Sequence, residues 1–205
     1  MAYEDSTSTS RLQRWRGEAL RIGFALLLLM SFRSAFANHY NVPSGSMQPT
    51  LMPGDRVLVD MRAYGYRLPF THARVLGAET PGRGEVAVFE SPENGERLIK
   101  RVVAVGGDRV EVRDGHLRIN GQDMAMPGLL DAENLGTRVY QLDLSRGGGP
   151  DAAGRVPAGQ VLVVGDARGS SHDGRMFGLL PAEDLYARAI AVYWRGGEGP
   201  VWKRL

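Results

Sequence analysis

This sequence predicts a mainly β fold: an antiparallel β-sheet domain behind one N-terminal transmembrane helix. Three observations carry the prediction. Short runs of β-branched residues recur from Asp55 onward, two alternating runs are joined by Asp114-Gly115, and a basic then apolar segment precedes residue 39. A chain of 205 residues can bury one good core with a smaller lobe attached.

The first element lies in "RLQRWRGEALRIGFALLLLMSFRSAFANHY", where Arg11, Arg14 and Arg16 precede an apolar run from Ile22 to Phe32. As a helix over 19–38, roughly twenty residues would span about 30 Å, enough to cross a bilayer. Arg21 and Arg33 would snorkel to the headgroups. The upstream arginines would hold residues 1–18 in the cytoplasm and send 39–205 to the extracytoplasmic, periplasmic side. The same segment also reads as a cleavable signal peptide, with a basic start, an apolar stretch of about 11 residues and Ala35-Phe36-Ala37 as an A-x-A site. A buried core helix is a third reading, opposed by the flanking arginines.

Strands follow at "DRVLVD" (55–60), "GEVAVFE" (84–90) and "ERLIKRVVAV" (96–105). "DRVEVRDGHLRING" is a hairpin, because Asp-Gly is a strong two-residue turn signal. "GQVLVVGD" (159–166) and "ARAIAVYW" (187–194) supply two more strands. Between Gln122 and Pro157 the pattern turns irregular, with "SRGGGPDAAGRVP" as a mobile loop. No internal repeat is present.

Composition narrows the chemistry. With Cys 0 there is no disulfide, no thiolate nucleophile and no cysteine zinc site. His39, His72, His116 and His172 lack ligand spacing, so no metal is expected. A formal net charge of +2, with no basic run past the N-terminal segment, argues against nucleic acid as a partner. The basic residues are nearly all arginine, the lysines being Lys100 and Lys203. Lys203, in "PVWKRL", reads as a solvated tail charge. Lys100 matters more, because lysine can lose its proton in a protein and arginine effectively cannot.

Three stretches carry candidate chemistry. In "NVPSGSMQPTL" (41–51), Ser44 and Ser46 flank Gly45 in a proline-bounded loop. That is either an ordinary surface turn, favoured by Ser, Gly and Pro on steric grounds, or a rigid turn presenting a nucleophilic hydroxyl. A nucleophile needs a base. Among the histidines His172 is the best candidate, with no evident orienting carboxylate. On the 96–105 strand Leu98, Lys100, Val102 and Ala104 would share one face and Arg101 the other. A lysine on an apolar face is desolvated. Lowering its pKa from about 10.4 to about 8 would leave roughly a tenth neutral at pH 7, at a cost near 3 kcal/mol. The alternative is an edge lysine that snorkels to water. The third stretch, "GDARGSSHDGRMFGLLP" (165–181), alternates Asp166, Arg168, Asp173 and Arg175, as in a loop pinned by internal ion pairs. Its Ser170 and Ser171 could orient an amine, and its two arginines argue against a calcium loop.

Taken together, "PSGSMQPTL", "GDRVLVD", "RGEVAVFESPENGERLIKRVVAVGGDRV" and "GDARGSSHDGR" resemble, in order and spacing, the boxes of bacterial type I signal peptidases, the Ser-Lys peptidases of family S26. The resemblance runs from about Arg16 to Tyr193 and includes the membrane segment. It implies Ser46 as nucleophile and Lys100 as general base, with Ser44 and the Ser46 N–H forming an oxyanion hole. It further implies that Ser171 orients the lysine and that Asp166, Arg168, Asp173 and Arg175 form an ionic scaffold. Val42, Pro43, Met47, Leu51 and Ile99 would surround small pockets, giving cleavage after Ala-x-Ala. The implied partners are signal peptides of secretory preproteins and the lipid bilayer, without a cofactor. In the last box Ala167, Gly169, Ser170 and Gly174 stand where the family commonly has Asn, Asp, Asn and Ser. Residues 122–157 correspond to a segment in which the family varies. The resemblance favours a retained anchor, since Arg33 interrupts the apolar run just before Ala35-Phe36-Ala37.

Rival readings share parts of this. A specialised maturation peptidase, for example one processing a conjugative pilus subunit, would have the same dyad. A self-cleaving repressor is opposed by the membrane segment, and no serine precedes a lysine by three as a penicillin-binding enzyme requires. An inactive anchored binding module is the non-enzyme alternative.

Overall fold

Alternation between apolar and polar residues organises the chain into strands, which the computed structural model describes over residues 15, 17–26, 37–67, 74–77, 79–136 and 138–205. Residues 17–26 form a helix, α1. Then come β1 (Ala37–Asn41), β2 (Arg56–Asp60), β3 (Tyr66–Arg67), β4 (Arg74–Leu76), β5 (Val86–Glu90) and β6 (Arg97–Val105). A smaller lobe follows: β7 (Arg109–Arg113), β8 (His116–Ile119), β9 (Gln122–Asp123), β10 (Ala125–Met126), β11 (Leu129–Asn134), β12 (Val139–Gln141) and β13 (Ala152–Arg155). The chain returns through β14 (Gln160–Val164), a short helix α2 (Gly174–Phe177), β15 (Leu180–Pro181), β16 (Ala187–Arg195) and β17 (Gly199–Arg204).

Antiparallel pairing is general. The main sheet runs β1-β2-β16-β5-β6-β14-β15, with β17 also on β16. Two long strands make this possible. β6 pairs with β5 over Arg97–Arg101 and with β14 over its second half, so Lys100 and Arg101 sit where the sheet changes partner. β7, β8, β9 and β13 form a second sheet, and β10–β12 a third. Between them and β6/β14 lies a core of Val103, Val110, Val112, Leu117, Ile119, Leu142 and Leu162. Each such buried side chain contributes about 1.5–3 kcal/mol.

The expected strands form, and the β7–β8 turn takes positive φ at both Asp114 (47°) and Gly115 (83°), as its type demands. Two expectations are corrected. Residues 122–157 are not irregular throughout: they carry β9 to β13, Ala152 to Arg155 of the expected loop pair with β7, and Leu142 is core. Ala104 does not share the face of Lys100. Leu162 opposes Ala104 while Val163 opposes Val102, so Val103 is the extra residue of a bulge that turns Ala104 to the other side. Ala104 therefore packs with Val103, and Val102 packs in a different cluster.

α1 exposes Leu20, Ile22, Phe24 and Leu26. Among the described residues no helix is long and apolar enough to cross a membrane. Residues 27–36, which hold half of the expected anchor, Arg33 and the start of Ala35-Phe36-Ala37, lie outside the described residues, as do 1–14, Arg16 and His72.

Candidate active site

The loop after β1 is set by its own backbone. Val42 N–H donates to Asp55 O (2.9 Å) and Gly54 N–H to Val42 O (2.8 Å), closing its base. Leu51 N–H donates to Met47 O at 2.9 Å, a single helical turn that places Met47 and Leu51 on one side. Both are wholly buried, in the cluster that holds Val42, Val57, Val59 and Tyr186. Docking that face leaves the serines on the other. Ser46 is 8% exposed and Ser44 is exposed, their hydroxyls 3.4 Å apart. A Cβ on Gly45 would stand 2.9 Å from Gln48 Oε1, the mobile end of a side chain that could swing aside.

Lys100 is buried at 2% exposure on β6. Its Nζ donates to Ser171 Oγ at 3.0 Å. Burial pushes its pKa down to about 8 against the pull of Asp173, with Arg175 lowering it further and Asp166 raising it. The edge-lysine alternative is thereby removed. The hydrogen bonds of Ser46 Oγ and Lys100 Nζ run to Ser44 and Ser171 rather than to each other. Gly165 joins the two halves: a Cβ there would lie 2.2 Å from Ser171 Oγ and 2.5 Å from Ser46 O. Ala167 N–H also donates to Ser46 O at 3.1 Å.

The ion pairs of the 165–175 loop are a partial surprise. Asp173 and Arg175 do pair within the loop, Arg175 Nε donating to Asp173 Oδ1 at 2.8 Å. Burial acts to raise the Asp173 pKa, but Arg175 and the Gly165 N–H hold it below the usual carboxylate range. Asp166 and Arg168, by contrast, pair outside the loop. Asp166 accepts from Arg101 (2.6 Å) and Thr50 (2.5 Å), and Arg168 donates to Glu133 at 2.6 Å. A loop pinned wholly by internal pairs is therefore corrected to one pinned from three directions.

Other predicted residues land differently. Pro43 is exposed and Ile99 half-buried, whereas Val42, Met47 and Leu51 back the site from inside the core. His172 is exposed and has a carboxylate partner after all, Glu93 Oε2 at 2.7 Å; its other ring nitrogen meets Met176. Ser170 is exposed and Ser171 buried, so the lysine is met by the second serine of the pair. Lys203 is exposed, as a solvated charge would be, but it does not lie in a loose tail: β17 pairs with β16, and its Nζ donates to Thr50 O at 3.0 Å. Sequence reasoning missed Thr50, Arg101, Glu133 and Tyr140. Glu133 offered no clear signal, standing in "LLDAENL" two residues after Asp131 and next to Asn134.

The family described as "Signal peptidase, peptidase S26" matches residues 15–194. A signal peptidase I of Pseudomonas fluorescens is 34% identical over 194 residues, covering 82% of this chain and 68% of that protein. The chloroplastic thylakoidal processing peptidase 1 of Arabidopsis thaliana is 34% identical over 174 residues, covering 83% of this chain and 46% of that one. A solved signal peptidase I from Enterococcus faecalis V583 shares 26% identity over 60% of this chain and 97% of its own, with a TM-score of 0.37.

Proposed function

Since this chain belongs to the signal peptidase family, peptidase S26, we propose that it removes signal peptides from exported preproteins as a membrane-anchored serine endopeptidase with a Ser46–Lys100 dyad. The observation that carries this reading is Lys100: a buried amine with a pKa near 8, held by Ser171 beside the Ser46 loop. An ordinary lysine is protonated at neutral pH and cannot act as a base; this one is neutral in a useful fraction of molecules.

In the proposed reaction neutral Lys100 takes the Ser46 proton as Oγ attacks the scissile carbonyl. Ser44 Oγ–H and the Ser46 N–H stabilise the oxyanion, and protonated Lys100 donates to the leaving amine. Water, deprotonated by the same lysine, then hydrolyses the acyl-serine. Hydrogen bonds in an unliganded site commonly tighten only with substrate, which is how the Ser46–Lys100 contact would form. Pro43 and Ile99 would present small pockets backed by Val42, Met47 and Leu51, selecting Ala-x-Ala. Asp166, Arg168, Asp173 and Arg175 would hold the loop that carries Ser171.

The exposed apolar residues of α1 support an anchor over 19–38, with residues 1–18 in the cytoplasm and 39–205 at the outer face of the cytoplasmic membrane. The same reading keeps the anchor uncleaved. Protein purified from cells should therefore not begin at Asn38 on N-terminal sequencing.

The test is cleavage of a fluorogenic Ala-x-Ala peptide in detergent by the wild type, Ser46→Ala and Lys100→Ala, from about pH 6 to about pH 10. Cleavage after the second alanine, a rate rising through about pH 8, and both variants at background are the expected results. Full activity in Lys100→Ala would refute the dyad.

A further inference from the structure

One residue that ties the smaller lobe to the 165–175 loop is Glu133. It lies on β11, wholly enclosed, in the segment expected to be irregular. Two groups of the lobe fix its carboxylate: Leu117 N–H donates to Oε1 at 2.7 Å and the Tyr140 hydroxyl to Oε2 at 2.7 Å. A third partner comes from outside, Arg168, whose guanidinium donates to Oε2 at 2.6 Å. Arg168 is itself 1% exposed, and Glu133 is its one ion-paired carboxylate among the described residues. The neighbouring acids are engaged elsewhere, Asp166 with Arg101 and Thr50, Asp173 with Arg175.

What Arg168 does with its remaining donors gives the pair its meaning. Its Nε donates to Gly165 O at 3.2 Å and a terminal nitrogen to Gly115 O. The first bond spans the loop and fixes the distance from Gly165 to the short helical turn Arg168–Ser170. Ser171, which bonds Lys100, is the next residue. Backbone bonds from Asp143 N–H to Asp166 O and from Arg168 N–H to Asp143 O add a second clamp from the lobe.

We propose that Glu133 is a positioning residue for the proteolytic reaction, holding through Arg168 the loop that presents Ser171 to Lys100. A buried ion pair is costly and can often be replaced by apolar residues without loss of stability. Its use here is geometric, because the guanidinium plane must stay where both carbonyls are met. The inference rests on the Ser46–Lys100 reading above. Around Lys100 the charged groups are Asp173, Arg175 and Asp166; around Glu133 they are Arg168 and, across the Tyr140 ring at 4.0 Å, Arg101.

The chain's two lysines allow a readout independent of turnover. Lysine-labelled, full-length protein in detergent is titrated by NMR, with Lys203→Arg to assign the signals. Peptide cleavage is followed in parallel for the wild type, Glu133→Gln and Ser46→Ala. Glu133→Gln is expected to fold, to lose about tenfold to a hundredfold in kcat with KM within about twofold, and to raise the Lys100 midpoint above the wild-type value as water reaches the amine. If Glu133→Gln does not fold, Glu133→Asp serves instead: it keeps the charge but draws the carboxylate back from Arg168, and the same rise is expected. An unmoved Lys100 midpoint and kcat, with only a lower Tm, would overturn the proposal while Ser46→Ala remained inactive. Cleavage retained by Ser46→Ala would instead remove the dyad itself, and this role with it.

Discussion

Lys100 and Arg101 are neighbours on β6, at 2% and 3% exposure, yet their surroundings treat the two charges in opposite ways. Burial works against the Arg101 charge, but the Asp166 carboxylate outweighs it with bonds of 2.8 and 2.6 Å, aided by Gly84 O and the Tyr140 ring. Lys100 meets a hydroxyl at hydrogen-bond range instead of a carboxylate, and burial prevails. One step along a strand thus separates a permanent charge, used to hold the Asp166 loop, from a removable one suited to proton transfer. Pleating does this: adjacent residues face opposite sides of the sheet and meet unrelated partners. The two cations are not interchangeable, because guanidinium cannot be deprotonated.

Exchanging the residue types should break the contrast most severely. Lys100→Arg should lose about 10³-fold or more in cleavage rate at every pH, since no neutral base remains; a residual rate that still rises through pH 8 would contradict this. Next in size, Arg101→Leu leaves Asp166 as a buried, unpaired carboxylate and should cost about 3–5 kcal/mol in urea unfolding. Lys100→Met should act in the other direction, stabilising an inactive protein by up to about 3 kcal/mol near neutral pH. Below pH 8 both folded and unfolded chains hold the lysine proton, and the fold bears the full cost of the buried ammonium. Between about 8 and 10.5 only the unfolded chain is protonated, so wild-type stability rises with pH and the advantage of Met shrinks. Melting curves at about pH 6.5 and about pH 9.5 would show it. Ser171→Ala is the mildest change, an expected loss of about tenfold in kcat with an altered pH midpoint, checked by the same peptide assay.

Much of this arrangement is legible in the sequence. Local signals were reliable: Asp114-Gly115 made its turn, and the strands around 55–60, 96–105 and 159–166 formed within a residue or two of their expected ends. Lys100 was readable because its neighbours are apolar, whichever face they occupy. What escaped notice was of two kinds. Strands of two or three residues, such as β9, β10 and β12, are too short to show a period of two, so the lobe looked shapeless. Partners far apart in the chain leave no local mark: Arg168 and Glu133 are 35 residues apart, Lys203 and Thr50 are 153. The bulge at Val103 belongs to neither kind, since the count of residues between β6 and β14 shows only once the strands pair.

Glycine contacts at the root of the lobe decide where this chain can be lengthened. A Cβ on Gly148 would stand 2.0 Å from the Asp114 carbonyl carbon, and Gly148 O accepts from Arg175 at 2.6 Å. A Cβ on Gly169 would meet Arg146 O at 2.2 Å. Backbone rests on backbone there, so a spliced peptide or bulky label at the root would pull directly on the loop that holds Ser171. The Pro127-Gly128 turn between β10 and β11 is exposed, and nothing lies within 4 Å of a Cβ at Gly128. Inserted sequence belongs at that turn, where added residues leave the contacts at the root of the lobe in place.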